Sequence, residues 1–370
     1  MIRYFFLFFL ISCSSNYNLI KLDSYIEFIQ NKYAPDRRVA LFDIDYSYNN
    51  DVIIVDGETN LKSAKEHLLN ILDSLDINYE DNIDLLPNTK IYGIINNSVG
   101  NLRGRPSHSS ELVSQTILGT RVDILKKEGE WYLIQTPDDY ISWIDHGGIT
   151  IVSESEYSNY YNKTYIFNQI QGFAYASTMK NEIVSDLVVG SILNIIDKKN
   201  SFYKIQYPDK RIGWVESKYV SQIFDSSKNS TSDLIINSKK FIGIPYLWGG
   251  TSSKGFDCSG FTKTVYLMNG LVIPRDASQQ INEGLLVDKD RNWDKLQEGD
   301  LMFFGYYRDG RRRIDHVAIW IGEGNFIQAS KNVRINSVYS DDPIYDKYHM
   351  DKYIETRRII GNETDGVKKL

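Results

Sequence analysis

A chain of 370 residues with 42% hydrophobic, 24% charged and 13% aromatic residues is too apolar to be disordered and too long for one ordinary core, so several domains are expected. Its formal net charge of -6 gives it no electrostatic reason to bind nucleic acid, and no phosphate-cradling glycine motif is present. Two cysteines and five scattered histidines exclude a disulfide framework and offer no metal site, and nothing in the sequence asks for a cofactor.

Residues 1–12 place Arg3 before an apolar run, Tyr4 to Ile11, that ends at Cys13. The run is too short to span a bilayer and reads as a signal-peptide core. Leu10-Ile11-Ser12-Cys13 resembles the lipobox of bacterial lipoproteins. That resemblance implies cleavage before Cys13, acylation of its thiol, and a membrane-anchored lipoprotein in the periplasm or on the cell surface. Cys258 is then the remaining thiol of an extracytoplasmic chain, and such a thiol needs a reason.

Residues 21–86 read as a small α+β domain. Leu22, Tyr25, Ile26 and Ile29 recur at helical spacing, Arg38 to Tyr46 and Asp51 to Val55 read as strands around Asn49-Asn50, and Asn60 reads as the cap of a second helix. That helix carries Leu61, Ala64, Leu68, Leu72 and Leu75 on one face, and a strand at Ile83 to Leu86 closes the domain. Nothing here suggests chemistry.

Residues 87–150 and 160–225 contain an internal repeat. Glu111 to Trp143 aligns without a gap on Glu182 to Trp214 at an offset of 71, with 13 identities in 33 positions. Short runs rich in Val, Ile and Tyr, punctuated by Gly or Pro-Asp, predict two small β-barrels. Their pattern, Asn101-Leu102-Arg103, Gly119, Trp131 to Ile134 and Ile141-Ser142-Trp143, resembles the bacterial SH3-like domains of cell-wall proteins. A polar linker, Asp225 to Ser232, leads to a third region at 233–360, and the last ten residues are expected to fray.

Residues 233–360 carry the chemistry. Phe261, Val265 and Met268 share a helical face, which puts Cys258 at the start of a helix ending near Asn269-Gly270. There the free NH groups and the helix dipole favour the thiolate, the nucleophilic form. A thiolate needs a base, and His316 opens a run that reads as the first arm of a hairpin through Gly322-Glu323-Gly324. Pairing Ile321 with Asn325 and Ile319 with Ile327 makes Gln328 a diagonal neighbour of His316, able to hold its tautomer. The run Arg308 to Arg313 reads as a solvated turn, and His108, His146 and His349 read as bland.

Tyr246-x-Trp248-Gly249-Gly250, Asp257-Cys258-Ser259-Gly260-Phe261, Pro274-Arg275, Gly299-Asp300-Leu301 and Asp315 to Ile319 together resemble the NlpC family of cell-wall cysteine peptidases. The resemblance implies a multidomain α+β chain whose small N-terminal domain and two SH3-like barrels precede a papain-like catalytic domain. It also implies cleavage of γ-D-glutamyl-diamino acid bonds in murein peptides through an acyl-enzyme, by a monomer. By resemblance Cys258 is the nucleophile, His316 the base and Gln328 the third polar group, where the family most often has histidine. Tyr246 and the Cys258 NH serve the oxyanion, while Trp248, Asp257, Ser259 and Arg275 line the substrate site. Glu111 and Tyr140 of the first barrel become candidates for holding a free L-alanine amine. The rival readings are another papain-like amidase or acyltransferase, or a wall-binding scaffold without catalysis.

Overall fold

The computed structural model describes residues 14–50, 52–160, 165–222 and 230–369. Cys13 and the leader lie outside the described residues. The chain divides after Thr89 into two compact units.

The first unit runs α1 (Ser14–Tyr33), β1 (Phe42–Asn49), β2 (Val52–Thr59), α2 (Lys62–Ser74) and β3 (Tyr79–Leu85). β1 pairs antiparallel with β2, while β3 returns parallel to β2 from Ile53↔Tyr79 to Thr59↔Leu85, so α2 is a crossover helix. Ala64, Leu68 and Leu72, spaced four apart, are fully buried against Leu22, Ile29, Phe42 and Val55. Two expectations change here. The first strand begins at Phe42 rather than Arg38, because Arg38 turns back to grip Asp36 through Nε at 2.8 Å and Nη2 at 2.7 Å. Asn60 is not the helix cap: its Oδ1 accepts from the Leu41 amide at 2.9 Å, tying the helix entry to β1, and Leu61 stands at the cap position.

The second unit begins with two modules of identical strand order. The first contains β4 (Ile91–Ile95), β5 (Val99–Arg103), β6 (Leu112–Ile117), β7 (Arg121–Glu128), β8 (Trp131–Gln135), β9 (Ile141–Asp145) and β10 (Ile149–Val152). The capped helix α3 (Glu154–Asn159) leads on to β11 (Tyr165–Phe167), β12 (Gln171–Tyr175), β13 (Ile183–Val188), β14 (Ile192–Lys199), β15 (Phe202–Gln206), β16 (Ile212–Glu216) and β17 (Val220–Gln222). The ladders run β10-β4-β7-β8-β9-β5-β6 and β17-β11-β14-β15-β16-β12-β13, so equivalent strands take equivalent places; the offset of 71 holds from β6 and β13 onward, while β5 and β12 lie 72 apart. Among the described residues no pairing joins the two ends of either ladder, so hydrogen bonding does not close them into the expected barrels. The modules meet through the same turn of each copy. The Ile192 amide donates to Leu118 O at 2.8 Å, and a Cβ on Gly119 would lie 2.3 Å from Ile192 O. The equivalent Gly190 faces Ile117, whose Cδ1 would stand 3.0 Å from an added Cβ.

The remainder comprises α4 (Thr231–Lys239), β18 (Thr251–Ser252), β19 (Gly255–Phe256), α5 (Cys258–Met268), β20 (Leu271–Val272), α6 (Ala277–Gln280), β21 (Leu285–Asp288), β22 (Leu301–Arg308), β23 (Arg311–Gly322), β24 (Asn325–Ser330), β25 (Asn332–Ser337), α7 (Lys347–Asp351), β26 (Tyr353–Arg358) and β27 (Lys368–Lys369). Six strands form an antiparallel sheet in the order β21-β26-β22-β23-β24-β25, and α5 buries Phe261 and Val265 in the core it shares with β23 and β24. Edge-to-face contacts among Phe241, Phe256 and Phe261 fix the entry to α5. The C-terminal residues do not fray: β27 pairs with β20, and Lys368 Nζ bonds Pro137 O at 2.9 Å and Asp139 at 2.6 Å on the first module.

Candidate active site

Asp257 caps α5, its Oδ1 accepting from the Gly260 amide at 2.7 Å. Its Oδ2 accepts from the Gly249 amide at 3.0 Å, so one carboxylate ties the Trp248-Gly249-Gly250 turn to the start of the helix. Arg275 completes the clamp with Nη1 and Nη2 at 3.1 and 2.5 Å from the two oxygens. Its Nη1 also reaches Ser259 Oγ at 3.0 Å, and its Nε reaches Ser114 Oγ of the first module at 2.9 Å. At 1% exposure Arg275 cannot meet a substrate, so its expected place in the binding surface is corrected: it positions Asp257. The Ser259 hydroxyl is bound into the same buried network, whereas Asp257 keeps 11% of its side chain exposed.

Cys258 therefore sits at the first turn of α5, as the spacing predicts, but burial decides its charge. Desolvation, with the neighbouring Asp257 carboxylate, pushes the thiol up to about 12, against the opposing pull of the Val317 and Ser259 NH groups and Arg275. A helix N-terminus contributes only about 0.3–1 kcal/mol, up to ~2 kcal/mol when partly buried, too little to offset removal of a thiolate from water. The resting cysteine is a thiol, contrary to the expected thiolate. The Val317 contact also places its sulfur beside β23, one residue from His316.

His316 is buried at 8% exposure, and its Nε2 lies 2.6 Å from Gln328 Oε1. The amide orientation of Gln328 follows from its other partners, because Nε2 donates to Asn336 Oδ1 at 2.8 Å and to Asp346 Oδ2 at 2.7 Å. Oε1 is left as an acceptor, so His316 carries its proton on Nε2 and leaves Nδ1 with its lone pair. Burial first, then the neighbouring His349, lowers the imidazole to about 3, and the base is neutral at physiological pH. The hairpin differs in one detail. Gly322, not Ile321, pairs with Asn325, because a bulge at Ile321 shortens the turn to Glu323-Gly324, both at positive φ. Ile319↔Ile327 is retained, and with it the diagonal contact.

Tyr246 is half-buried; burial first, and further the Asp257 carboxylate, raise its phenol, so its hydroxyl keeps its proton for donation. Trp248 is 63% exposed and donates from Nε1 to Glu111 Oε1 at 2.8 Å. Glu111 thus stands at the turn that precedes the cysteine. Gly249 shows how closely the first module approaches: at φ +76° its Cβ would lie 2.2 Å from the Leu112 carbonyl oxygen. Tyr140 is buried at 6% exposure within electrostatic reach of the Arg275 guanidinium. Cys258 meets Tyr246 and the start of the β23 apolar run, His316 bonds Gln328, and Trp248 bonds Glu111 at the turn before the cysteine, whereas sequence reasoning misses Asp346 and His349. An Asp-x-x-His start to α7 is their only local signal. No group of His, Cys, Asp and Glu suited to a metal occurs among the described residues.

Residues 243–358 match the NlpC/P60 family, and residues 98–150 and 176–221 match the bacterial SH3 domain. The C-terminal region is thus an NlpC/P60 cysteine-peptidase domain, preceded by two bacterial SH3 domains. A γ-D-glutamyl-L-lysine dipeptidyl-peptidase of Bacillus cereus is 29% identical over 267 residues, 69% of this chain and 77% of that protein. A relative of the same name from Bacillus subtilis is 29% identical over 245 residues, 63% of this chain and 78% of that protein. The crystal structure of an NlpC/P60 family protein from Bacillus cereus covers 73% of this chain and 99% of that chain with a TM-score of 0.61. At 24% identity that likeness shows the fold alone.

Proposed function

We propose that the chain hydrolyses γ-D-glutamyl-diamino acid bonds in peptidoglycan-derived peptides that begin with a free L-alanine. The observation that carries this reading is the Glu111–Trp248 contact, which sets a carboxylate of the first SH3-like module at the turn leading into Cys258. A module seated there narrows one end of the cleft and supplies an anion for an amine. The names of the Bacillus relatives agree with such a substrate.

In this reaction Cys258 Sγ attacks the γ-carbonyl carbon as its proton passes to His316 Nδ1. The Cys258 NH and the Tyr246 hydroxyl donate to the developing oxyanion. Collapse breaks the C–N bond, the imidazolium returns its proton to the departing amine, and the acyl group remains as a thioester. Water, deprotonated by His316, releases the acid and restores the thiol. Gln328 holds the Nε2–H throughout, and the exposed edge of Asp257 adds a second carboxylate near the amine. The lipobox-like leader supports acylation at Cys13 and an extracytoplasmic, membrane-tethered position.

Incubation of the full chain with L-Ala-γ-D-Glu-L-Lys, read by mass spectrometry, is expected to release lysine and the dipeptide, with Cys258→Ala inactive. Cleavage that persists in Cys258→Ala, or an untouched tripeptide alongside cleaved intact wall, overturns the proposal.

A further inference from the structure

Gln328 does not orient the base alone. Asp346 Oδ2 accepts from both Gln328 Nε2 at 2.7 Å and His349 Nδ1 at 2.7 Å, while its Oδ1 accepts from the His349 amide at 3.2 Å. The His349 ring lies over the His316 ring with centroids 4.2 Å apart and planes 32° from parallel. All of these side chains are buried except the partly buried Asn336, which takes the second Gln328 proton. A glutamine amide can rotate by half a turn and present NH2 where its oxygen stood, an option that a histidine in its place would not have in the same form. Asp346 removes that option, because only an acceptor faces the amide nitrogen.

We propose that Asp346 and His349 position the His316 base: Asp346 locks the Gln328 amide with its oxygen toward Nε2–H, and His349, held by Asp346, covers one face of the imidazole. The bonds of the pair run to Gln328 and its stacking to His316, so both are positioning residues acting through those two side chains. This inference deepens the peptidase reading above and rests on it. Burial works against ionisation of Asp346, but its bonds to His349 and Gln328 outweigh burial and hold the carboxyl well below the usual range, so the acceptor is a carboxylate at working pH. Arg334, with Nη2 at 3.8 Å, is the nearest cation on the adjoining strand.

The test is a double-mutant cycle on the full chain with the tripeptide as substrate. Asp346→Ser keeps a short oxygen for the cap of α7 and removes the reach to Gln328. It is expected to lower kcat about 10- to 100-fold, short of the loss on removing a general base, with KM within about twofold. In a Gln328→Leu background the same change should cost no more than His349→Phe does, because the amide it orients is gone and only its hold on His349 remains. His349→Phe, which keeps a stacked ring but loses the bond to Asp346, should lower kcat less than Asp346→Ser. Full, independent losses in the cycle, or an unchanged kcat in Asp346→Ser, would overturn the positioning role. Wild-type turnover in the same assay separates that failure from failure of the peptidase reading.

Discussion

Replacing Glu111 by glutamine isolates charge at the end of the cleft. The Trp248 indole donates to a single Glu111 oxygen at 2.8 Å, and a glutamine carbonyl can accept the same bond, so the turn ahead of Cys258 keeps its tie to the first module. What is lost is the negative charge offered to a substrate amine. A hydrogen bond to a charged group contributes about 1.5–3 kcal/mol and a neutral one about 0.5–1.5 kcal/mol, so the change costs roughly 1–1.5 kcal/mol. That corresponds to a fall of about 5- to 13-fold in kcat/KM for L-Ala-γ-D-Glu-L-Lys. Because Glu111 is exposed, solvent screening favours the lower end. Initial rates below KM, with free and N-acetylated tripeptides assayed in parallel, give the contrast. The acetylated peptide should be slow with the wild type and unchanged by the substitution. An equal loss on both peptides would mean that Glu111 supports the turn and does not read the amine.

Gln328→His should remain active, whereas Gln328→Leu should lose on the order of 10- to 1000-fold in kcat; a fully active leucine variant would show that no partner at Nε2 is needed. Iodoacetamide labelling of Cys258 should still be accelerating about tenfold per pH unit near pH 9, because burial keeps the thiol protonated. A plateau below neutral pH would reveal a preformed ion pair instead. Burial and His349 hold His316 at about 3, so its folded form stays an unprotonated base as pH falls through 6.5, and the acid limb of kcat/KM should lie well below that value. A limb at an ordinary histidine pKa would contradict it. Arg275→Met leaves Asp257 buried beside nothing positive and should destabilise the chain by about 3–5 kcal/mol in urea unfolding followed by tryptophan fluorescence. An unshifted midpoint would show that Asp257 is sufficiently solvated without it.

Local signals carried much of this site. The apolar spacing after Cys258 and the Gly270 stop define α5 within the chain itself, and the repeat places corresponding strands at 121–128 and 192–199 without a residue of slippage. The alternation of Val317, Ile319, Ile327 and Ala329 is enough to make Gln328 a neighbour of His316. Non-local features were not legible in the same way. Burial of Cys258 depends on β23 and on the Arg275–Asp257 clamp, so a reading of its helix end alone gives the wrong protonation state. Asp346 and His349 reach His316 only after β25 and a loop return the chain to the sheet, and no periodicity marks that return. Asn60 looked like a cap because the competing Leu41 amide lies 19 residues away.

The shared turn between the two modules behaves like a homodimer made covalent. Gly119 packs on Ile192, and its counterpart Gly190 packs on Ile117, so each copy offers the other the same turn, although the isoleucines lie on opposite sides of the glycine. Because the partners lie on one chain, their association is unimolecular and does not weaken on dilution. Covalent pairing also frees the copies to diverge. The position of Tyr140 in the first copy is Arg211 in the second, and Arg211 Nη2 bonds the Asn96 carbonyl of its sister at 2.9 Å. One site thus serves the catalytic neighbour in one half and the pairing itself in the other. A chain built from two identical first copies would gain a second Tyr140 and lose the arginine that helps to hold the halves together.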